Sequence, residues 1–294
     1  MSDRRLALFA NPAAAGGRAL ATLPAVETEL THLGVQHRVV DTRGVDHARD
    51  EARRAAEDGE TVVAVGGDGL VGCLAGALRG GAGPLAIVPS GRGNDFARVL
   101  KIPTEPREAA RVAVDGKERT LDLGLANGRP FVGIASLGFD SDANRIANEA
   151  RLVKGNFVYL YAALRALAGW KHARFRVTID RREREVVGYS VAIGNSKAYG
   201  GGMFVFPHAQ LDDGLLDVLT IEQHGKLRWL MHVPKVFKGN VDSPYGRYET
   251  GEVVQVVADR PFTVYADGDP IAELPLEVRV DKASLRVIVP TEAA

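Results

Sequence analysis

Gly66-Gly67-Asp68-Gly69 decides how this chain is read, because of what lies on either side of it. Residues 61–65 (Thr-Val-Val-Ala-Val) have the composition of a short buried strand, and residues 70–78 read as a helix. A glycine turn between a strand end and a helix start leaves backbone N–H groups free and lets a bulky anion approach closely. An acidic residue inside the turn points to an anion that arrives with Mg²⁺. The simplest ligand with both properties is a nucleoside triphosphate. Glycine is also a default turn residue, so a plain strand–helix connection explains these four residues equally well. Their company along the chain separates the two readings.

Outward from this turn, the first third repeats the alternation. Strands are expected at 6–10, 36–41, 61–65 and 85–88, with helices ending near Leu33 and covering 46–56, 70–78 and 95–100. Strands separated by helices predict a mostly parallel, doubly wound sheet. Ligands of such sheets collect beyond the carboxyl ends of the strands, which places the loops at 11–17, 66–69 and 90–95 on one edge. After about residue 125 the pattern changes. One long helical stretch (141–169) precedes strands at 174–179, 185–193 and 215–221, a helix at 226–238, and strands at 253–258, 262–265, 276–280 and 285–289. This spacing predicts an antiparallel sandwich or barrel. The expected organisation is an α/β domain over 1–125 and a β-rich domain over 126–294, with the active-site cleft between them.

A length of 294 residues fits about two domains, and 46% hydrophobic residues describe an ordinary globular chain. Lys+Arg and Asp+Glu both number 37, so no bulk charge favours nucleic acid, and any membrane attraction must be local. The single Cys73 excludes an internal disulfide and fits a reducing compartment. Its place on an apolar helix reads as a structural thiol. The start, Met-Ser-Asp-Arg-Arg, lacks the apolar stretch of a signal peptide. No run approaches the ~20 apolar residues of a membrane span. A cytoplasmic protein is expected. The seven histidines show no metal-ligand spacing, which argues against zinc catalysis.

Five segments carry chemistry: the glycine turn, Asn11-Pro12 with two glycines before its helix, and the loop Pro89-Ser90-Gly91-Arg92-Gly93-Asn94-Asp95-Phe96-Ala97-Arg98. The others are 195–217, with Gly200-Gly201-Gly202 and Asp212-Asp213-Gly214-Leu215, and the acidic turn Tyr265-Ala266-Asp267-Gly268-Asp269. Together, and in this order, they resemble the diacylglycerol kinase catalytic family, whose wider group includes sphingosine kinases and, more distantly, NAD kinases. The resemblance covers nearly the whole chain. It implies a two-domain kinase with a role in phospholipid biosynthesis that passes the γ-phosphoryl group of ATP to a lipid hydroxyl, the second domain receiving the lipid. It further implies that Asn11, Pro12, Ala13 and Thr42 line the nucleotide pocket. Gly66, Gly67, Asp68 and Gly69 wrap the phosphates, and Arg92 and Asn94 join them. Asp68, Asp95 and Asp122 match three aspartates of a catalytic Mg²⁺ network, and Gln210, Asp213 and Leu215 match a separate structural Mg²⁺ site. Asp269 falls where the family places a catalytic glutamate, with Asp68 the second catalytic candidate. The implied partners are ATP, a lipid acceptor at a membrane surface and a second copy of the chain, with no nucleic acid.

Three positions depart from the family pattern. Leu70 stands for a threonine and removes a hydroxyl. Arg92 stands for another threonine and brings a bidentate phosphate donor. Asp269 is one methylene shorter than the usual glutamate. The alternatives left open are a sphingoid-base or other lipid kinase, and a non-catalytic lipid- or nucleotide-binding relative. Seen alone, Asp122 reads as a strand-end turn residue and Asp213 as the closure of a hairpin. Lys171, His172 and Arg174 beside Trp170 form a basic and aromatic cluster of the kind that touches anionic lipid heads.

Overall fold

The computed structural model describes residues 4–11, 18–149, 157–223, 225 and 246–291. Its first half is set by three strands that are apolar without alternation: β1 (Leu6–Ala10), β3 (Thr61–Gly66) and β4 (Pro84–Pro89). Almost every residue of them is buried, as for parallel strands covered on both faces. They pair in parallel with the edge strand β2 (His37–Asp41) in the order β2-β1-β3-β4, through Leu6↔His37, Leu6↔Thr61 and Val62↔Leu85. The covering helices are α1 (Arg18–His32), α2 (Val45–Glu57), α3 (Asp68–Ala77), the short α4 (Asp95–Val99) and α5 (Pro106–Asp115). Helix α2 buries Ala48, Ala52, Ala55 and Ala56 and turns its charged residues to solvent, where Glu51 pairs with Arg54. Helix α5 was not expected from sequence. Its Glu105 side chain accepts the Glu108 N–H at 2.8 Å ahead of Pro106, and it buries an alanine-rich face.

The second half comprises β5 (Lys117–Ala126), β6 (Arg129–Phe131), β7 (Ile134–Gly138), α6 (Phe139–Glu149), α7 (Phe157–Gly169), β8 (Ala173–Ile179) and β9 (Arg182–Gly194). There follow β10 (Ala198–Tyr199), β11 (Met203–Phe204), β12 (Leu216–Glu222), β13 (Gly246–Gly251), β14 (Val253–Ala258), β15 (Thr263–Ala266), β16 (Asp269–Glu273) and β17 (Leu276–Val289). Antiparallel pairing runs β16-β15-β7-β9-β8-β14-β17, with β12 and β13 branching from β9. The result is an N-terminal α/β domain with a mostly parallel sheet and a C-terminal β-rich sandwich domain.

Two expectations change. The stretch 141–169 is two helices, α6 and α7, rather than one; the helix expected at 226–238 lies outside the described residues. The strands expected at 276–280 and 285–289 are one strand, β17, whose register shifts between Asp281 and Leu285. That strand links the halves. Its first part pairs with β14, its end pairs in parallel with β4 through Val287↔Leu85, and β5 follows it throughout. Leu285, Val287, Ile288 and Val289 therefore pack in the core of β1, β3 and β4, while Leu276 and Val278 pack in the sandwich core.

The aromatic cluster beside α7 is also interior. Trp170 is only 4% exposed and packs edge-on to Phe139 and stacked on Tyr189, with the Arg260 guanidinium 4.9 Å from its ring centre. Arg174 is paired with Glu185. Trp170 is thus a core residue, and the lipid-facing alternative for its basic neighbours loses its aromatic member.

Candidate active site

The carboxyl ends of β3 and β4 lie side by side, and the loops that follow them touch backbone to backbone. A Cβ added to Gly91 would sit 2.4 Å from Gly67 Cα, and one added to Gly67 would sit 3.0 Å from Gly91 Cα. Only glycine at both positions permits this approach. Asn94 closes the second loop from the left-handed region (φ 52, ψ 42). Its Oδ1 accepts the Gly91 N–H at 2.9 Å, and its Nδ2 donates to the Gly91 carbonyl at 3.1 Å. Asparagine is one of the few residues that tolerate such a backbone.

Two carboxylates converge here. Asp68 opens α3, and its Oδ1 accepts the Phe96 N–H at 3.3 Å across the loops. Asp95, 8% exposed, accepts the Gly201 N–H on Oδ2 at 2.8 Å and pairs through Oδ1 with Arg98, whose Nη2 reaches the Gly93 carbonyl at 2.9 Å. A Cβ on Gly93 would lie 2.8 Å from Asp68 Oδ2 and 3.4 Å from Asp95 Oδ2, so both oxygens border one small volume. Burial, and then the Asp95 charge, push the Asp68 carboxyl above its ordinary range, against the opposing pull of backbone N–H groups at 94–96.

The third component comes from the sandwich. The β15–β16 hairpin turns through Asp267 (φ 53) and Gly268 (φ 94), the positive-φ pair that tight hairpins require and that Asp-Gly supplies. Asp267 Oδ2 accepts the Val132 N–H and Oδ1 the Gly133 N–H, both at 2.9 Å. Burial raises its carboxyl to about 7, with Asp68 adding to the rise and those N–H groups opposing it. The turn lies on α3: a Cβ on Gly72 would be 3.5 Å from Asp267 Oδ2, and one on Gly69 3.5 Å from Asp269 Oδ2. Gly69 and Gly72 are one helical turn apart, so one small-residue face admits both acids. Asp269 is exposed and opens to solvent above Gly69.

Other expected residues fall elsewhere. Thr42 is buried, and its hydroxyl donates to the Ala10 carbonyl at 2.9 Å, tying β2 to β1. Asn11 follows β1 at the same sheet edge; Pro12 and Ala13 lie outside the described residues. Arg92 stands exposed at the loop apex. Leu70 lies against Gly66, where a Cβ would be 2.7 Å from Leu70 Cδ2. Asp122 is engaged by backbone groups of the second half. It is 4% exposed, mid-strand in β5, and its oxygens accept the Gly214 and Ala283 N–H groups, each at 2.7 Å. The physical reason is the register break in β17: Ala283 there adopts φ 50 and its N–H needs an acceptor other than the ladder. Among the described residues no three acidic, histidine or cysteine side chains form a metal-binding group. In the 210–215 turn, Asp213 Oδ1 accepts the Leu215 N–H at 3.0 Å, and Gln210 is exposed. Asp217 beside it is raised to about 6, by burial first and then by Asp213. Two surface hollows, of about 640 and 300 Å³, lie away from Asp68 and Asp269; Gln210 lines the smaller.

Sequence reasoning assigned no role to Arg98, Gly201 or Asn195, although all three lie within quoted segments. The partners of Gly201 and Asn195 are distant in the chain and no local pattern marks them, whereas Arg98 pairs with Asp95 three residues before it, a spacing that the sequence displays.

A domain class is defined by this arrangement of a glycine-looped parallel sheet closed by an acidic hairpin from a sandwich, and comparison with known proteins agrees. The family model described as the diacylglycerol kinase catalytic domain matches residues 5–126, and that described as the YegS C-terminal NAD kinase beta sandwich-like domain matches 133–289. The chain belongs to the diacylglycerol kinase catalytic family of lipid kinases. It is 35% identical over 298 residues to a Mycobacterium tuberculosis (strain CDC 1551 / Oshkosh) protein named diacylglycerol kinase, covering 97% of this chain and 95% of that one. It is 34% identical to a Pseudomonas aeruginosa (strain UCBPP-PA14) protein named "Probable lipid kinase YegS-like", over 82% of each. A solved diacylglycerol kinase structure from Bacillus anthracis str. Sterne superposes with a TM-score of 0.76 at 20% identity, covering 99% of this chain and 98% of that one. The last comparison speaks for the fold.

Proposed function

We propose that this chain transfers the γ-phosphoryl group of ATP to the hydroxyl of a diacylglycerol, giving phosphatidic acid. The observation that carries the reading is the docking of the Asp267–Asp269 turn on Gly69 and Gly72, which sets an acid from the sandwich beside the phosphate-binding end of α3. The name of the 35% identical relative supports the acceptor. The free N–H groups at the start of α3 and the touching loops at Gly67 and Gly91 suit the nucleotide phosphates. The donor set fits Mg²⁺: it is commonly held by one or two carboxylates plus phosphates and retained waters, and Asp68 and Asp95 border one volume. Bound there, Mg²⁺ supplies neutralisation of phosphate charge. Arg98 and the Gly201 N–H fix the Asp95 carboxylate, and Asp68 is fixed by the Phe96 N–H. Asp269 receives the proton of the acceptor hydroxyl. A positioned carboxylate suffices, because in a loose phosphoryl-transfer transition state positioning carries most of the catalysis.

Diacylglycerol stays in a bilayer, and no helix among the described residues is long and apolar enough to cross one. The reaction is therefore assigned to a membrane surface reached from the cytoplasm. ATP consumption against vesicles carrying diacylglycerol, a sphingoid base or another lipid alcohol tests the reading, with greatest turnover expected on diacylglycerol. Asp269→Asn keeps shape and removes the basic oxygen; it should lower turnover on the order of a hundredfold while sparing ATP affinity. Near-parental turnover in that variant moves the proton acceptor elsewhere. A second reading, transfer to a different lipid hydroxyl, is favoured by the similarity to relatives named only as lipid kinases.

A further inference from the structure

Val132 and Gly133 lie between β6 and β7, outside either strand, so their backbone groups depend on partners other than a sheet ladder. Their N–H groups go to Asp267. Their carbonyls go to Asn195 and the residue after it: Asn195 Nδ2 donates to the Val132 carbonyl at 3.2 Å, and the Asn195 and Ser196 N–H groups donate to the Gly133 carbonyl at 2.9 and 3.2 Å. The same Nδ2 donates to the Asp122 carbonyl at 3.0 Å. Asn195 is 1% exposed and stands immediately after the last β7–β9 pair, Ile134↔Gly194. The segment 132–133 is thus clamped, with Asn195 on its carbonyl side and the acid turn on its N–H side. Gly133 completes the fit, since a Cβ there would lie 2.3 Å from Asp267 Oδ1.

We infer that Asn195 is a positioning residue for the phosphoryl-transfer site: it holds the Val132–Gly133 segment where its N–H groups set Asp267, and thereby sets the direction in which Asp269 leaves the turn. This rests on the reading of Asp269 as proton acceptor. The residue type follows from the chemistry. Two carbonyls need a donor in a buried place, and Nδ2 is the donor that the asparagine amide provides. Aspartate would set an oxygen against both carbonyls, and leucine would leave them unpaired. The Asn195 Oδ1 has no hydrogen-bond partner among the described residues, so the side chain serves this segment through Nδ2.

The test uses the full chain. Asn195→Ala should lower kcat on diacylglycerol vesicles about tenfold to a hundredfold, the scale of a sub-ångström misplacement, with the calorimetric affinity for ATP unchanged. Hydrogen exchange at the Val132 and Gly133 amides should quicken. Asp267→Asn and the Asn195→Ala/Asp267→Asn pair close a cycle, and the double variant should be no slower than the worse single one, because both act through one turn. Asn195→Ser keeps one donor and should recover part of kcat, which also serves if Asn195→Ala fails to fold. Equal losses of kcat and ATP affinity, or additive losses in the cycle, would overturn the inference. So would unchanged exchange at residues 132–133 in both Asn195 variants. A parental chain with no turnover on any lipid would sink the kinase reading, while the exchange measurement still decides whether Asn195 holds the segment.

Discussion

Removing the Asp122 carboxylate separates its two assignments, structural anchor and metal ligand. In the structure each oxygen accepts one backbone N–H at 2.7 Å, from Gly214 in the 210–215 turn and from Ala283 in the β17 register break. Hydrogen bonds to a charged acceptor contribute about 1.5–3 kcal/mol each, and a stranded buried donor carries its own desolvation cost. Gly214 is buried and pays in full, whereas Ala283 is exposed and finds water. Asp122→Ala should therefore cost about 3 kcal/mol. At about 2 °C per kcal/mol for a chain of this size, Tm should fall by about 6 °C. Asp122→Asn retains one acceptor but turns an NH₂ toward the other donor, and should lose at least half as much. The assay is thermal unfolding of each variant and the parent in EDTA and again with Mg²⁺. An anchor predicts the same loss in both buffers. A loss that appears only with Mg²⁺ would show that the carboxylate holds the metal, and would refute the assignment made from the two N–H bonds.

Gly67→Val adds two methyl groups beyond a Cβ that already meets Gly91 Cα at 3.0 Å, so the phosphate loops must part; calorimetry should show ATP affinity at least tenfold weaker, and parental affinity would remove these loops from the nucleotide site. For Asp267, the folded carboxyl is raised to about 7 from 3.8, so the folded chain keeps a proton that the unfolded chain releases. Its contribution to stability is greatest below about pH 4, falls as pH rises through 7 and is flat above, a change of about 4 kcal/mol at 1.4 kcal/mol per unit. Unfolding of the parent and of Asp267→Asn in EDTA from pH 4 to 8 should show the parent losing ground to the variant by that order, and a pH-independent difference would contradict it.

What the sequence discloses divides by the range of the interaction. Strands β1, β3 and β4 are legible because a strand buried on both faces must be apolar throughout, and the turn after β3 because close backbone approach requires glycine. The acid turn is legible for the same local reason, since Asp-Gly is the chemistry of a positive-φ pair. Asp122 was not legible. The N–H donors it serves lie 92 and 161 residues further on, and nothing around Leu121-Asp122-Leu123 distinguishes a carboxylate that ties strands from one that binds a cation. Asn195 is the same case, with partners 63 and 73 residues away. Leu70 shows a third kind of concealment. Read along the chain it is a lost hydroxyl; in space its side chain closes on Gly66 and packs against the core of the first domain. A departure that looked like damage to the phosphate loop is also a contact bracing the β3–α3 turn. Residue-by-residue resemblance measures chemistry lost at a position, whereas only the fold shows what packing took its place.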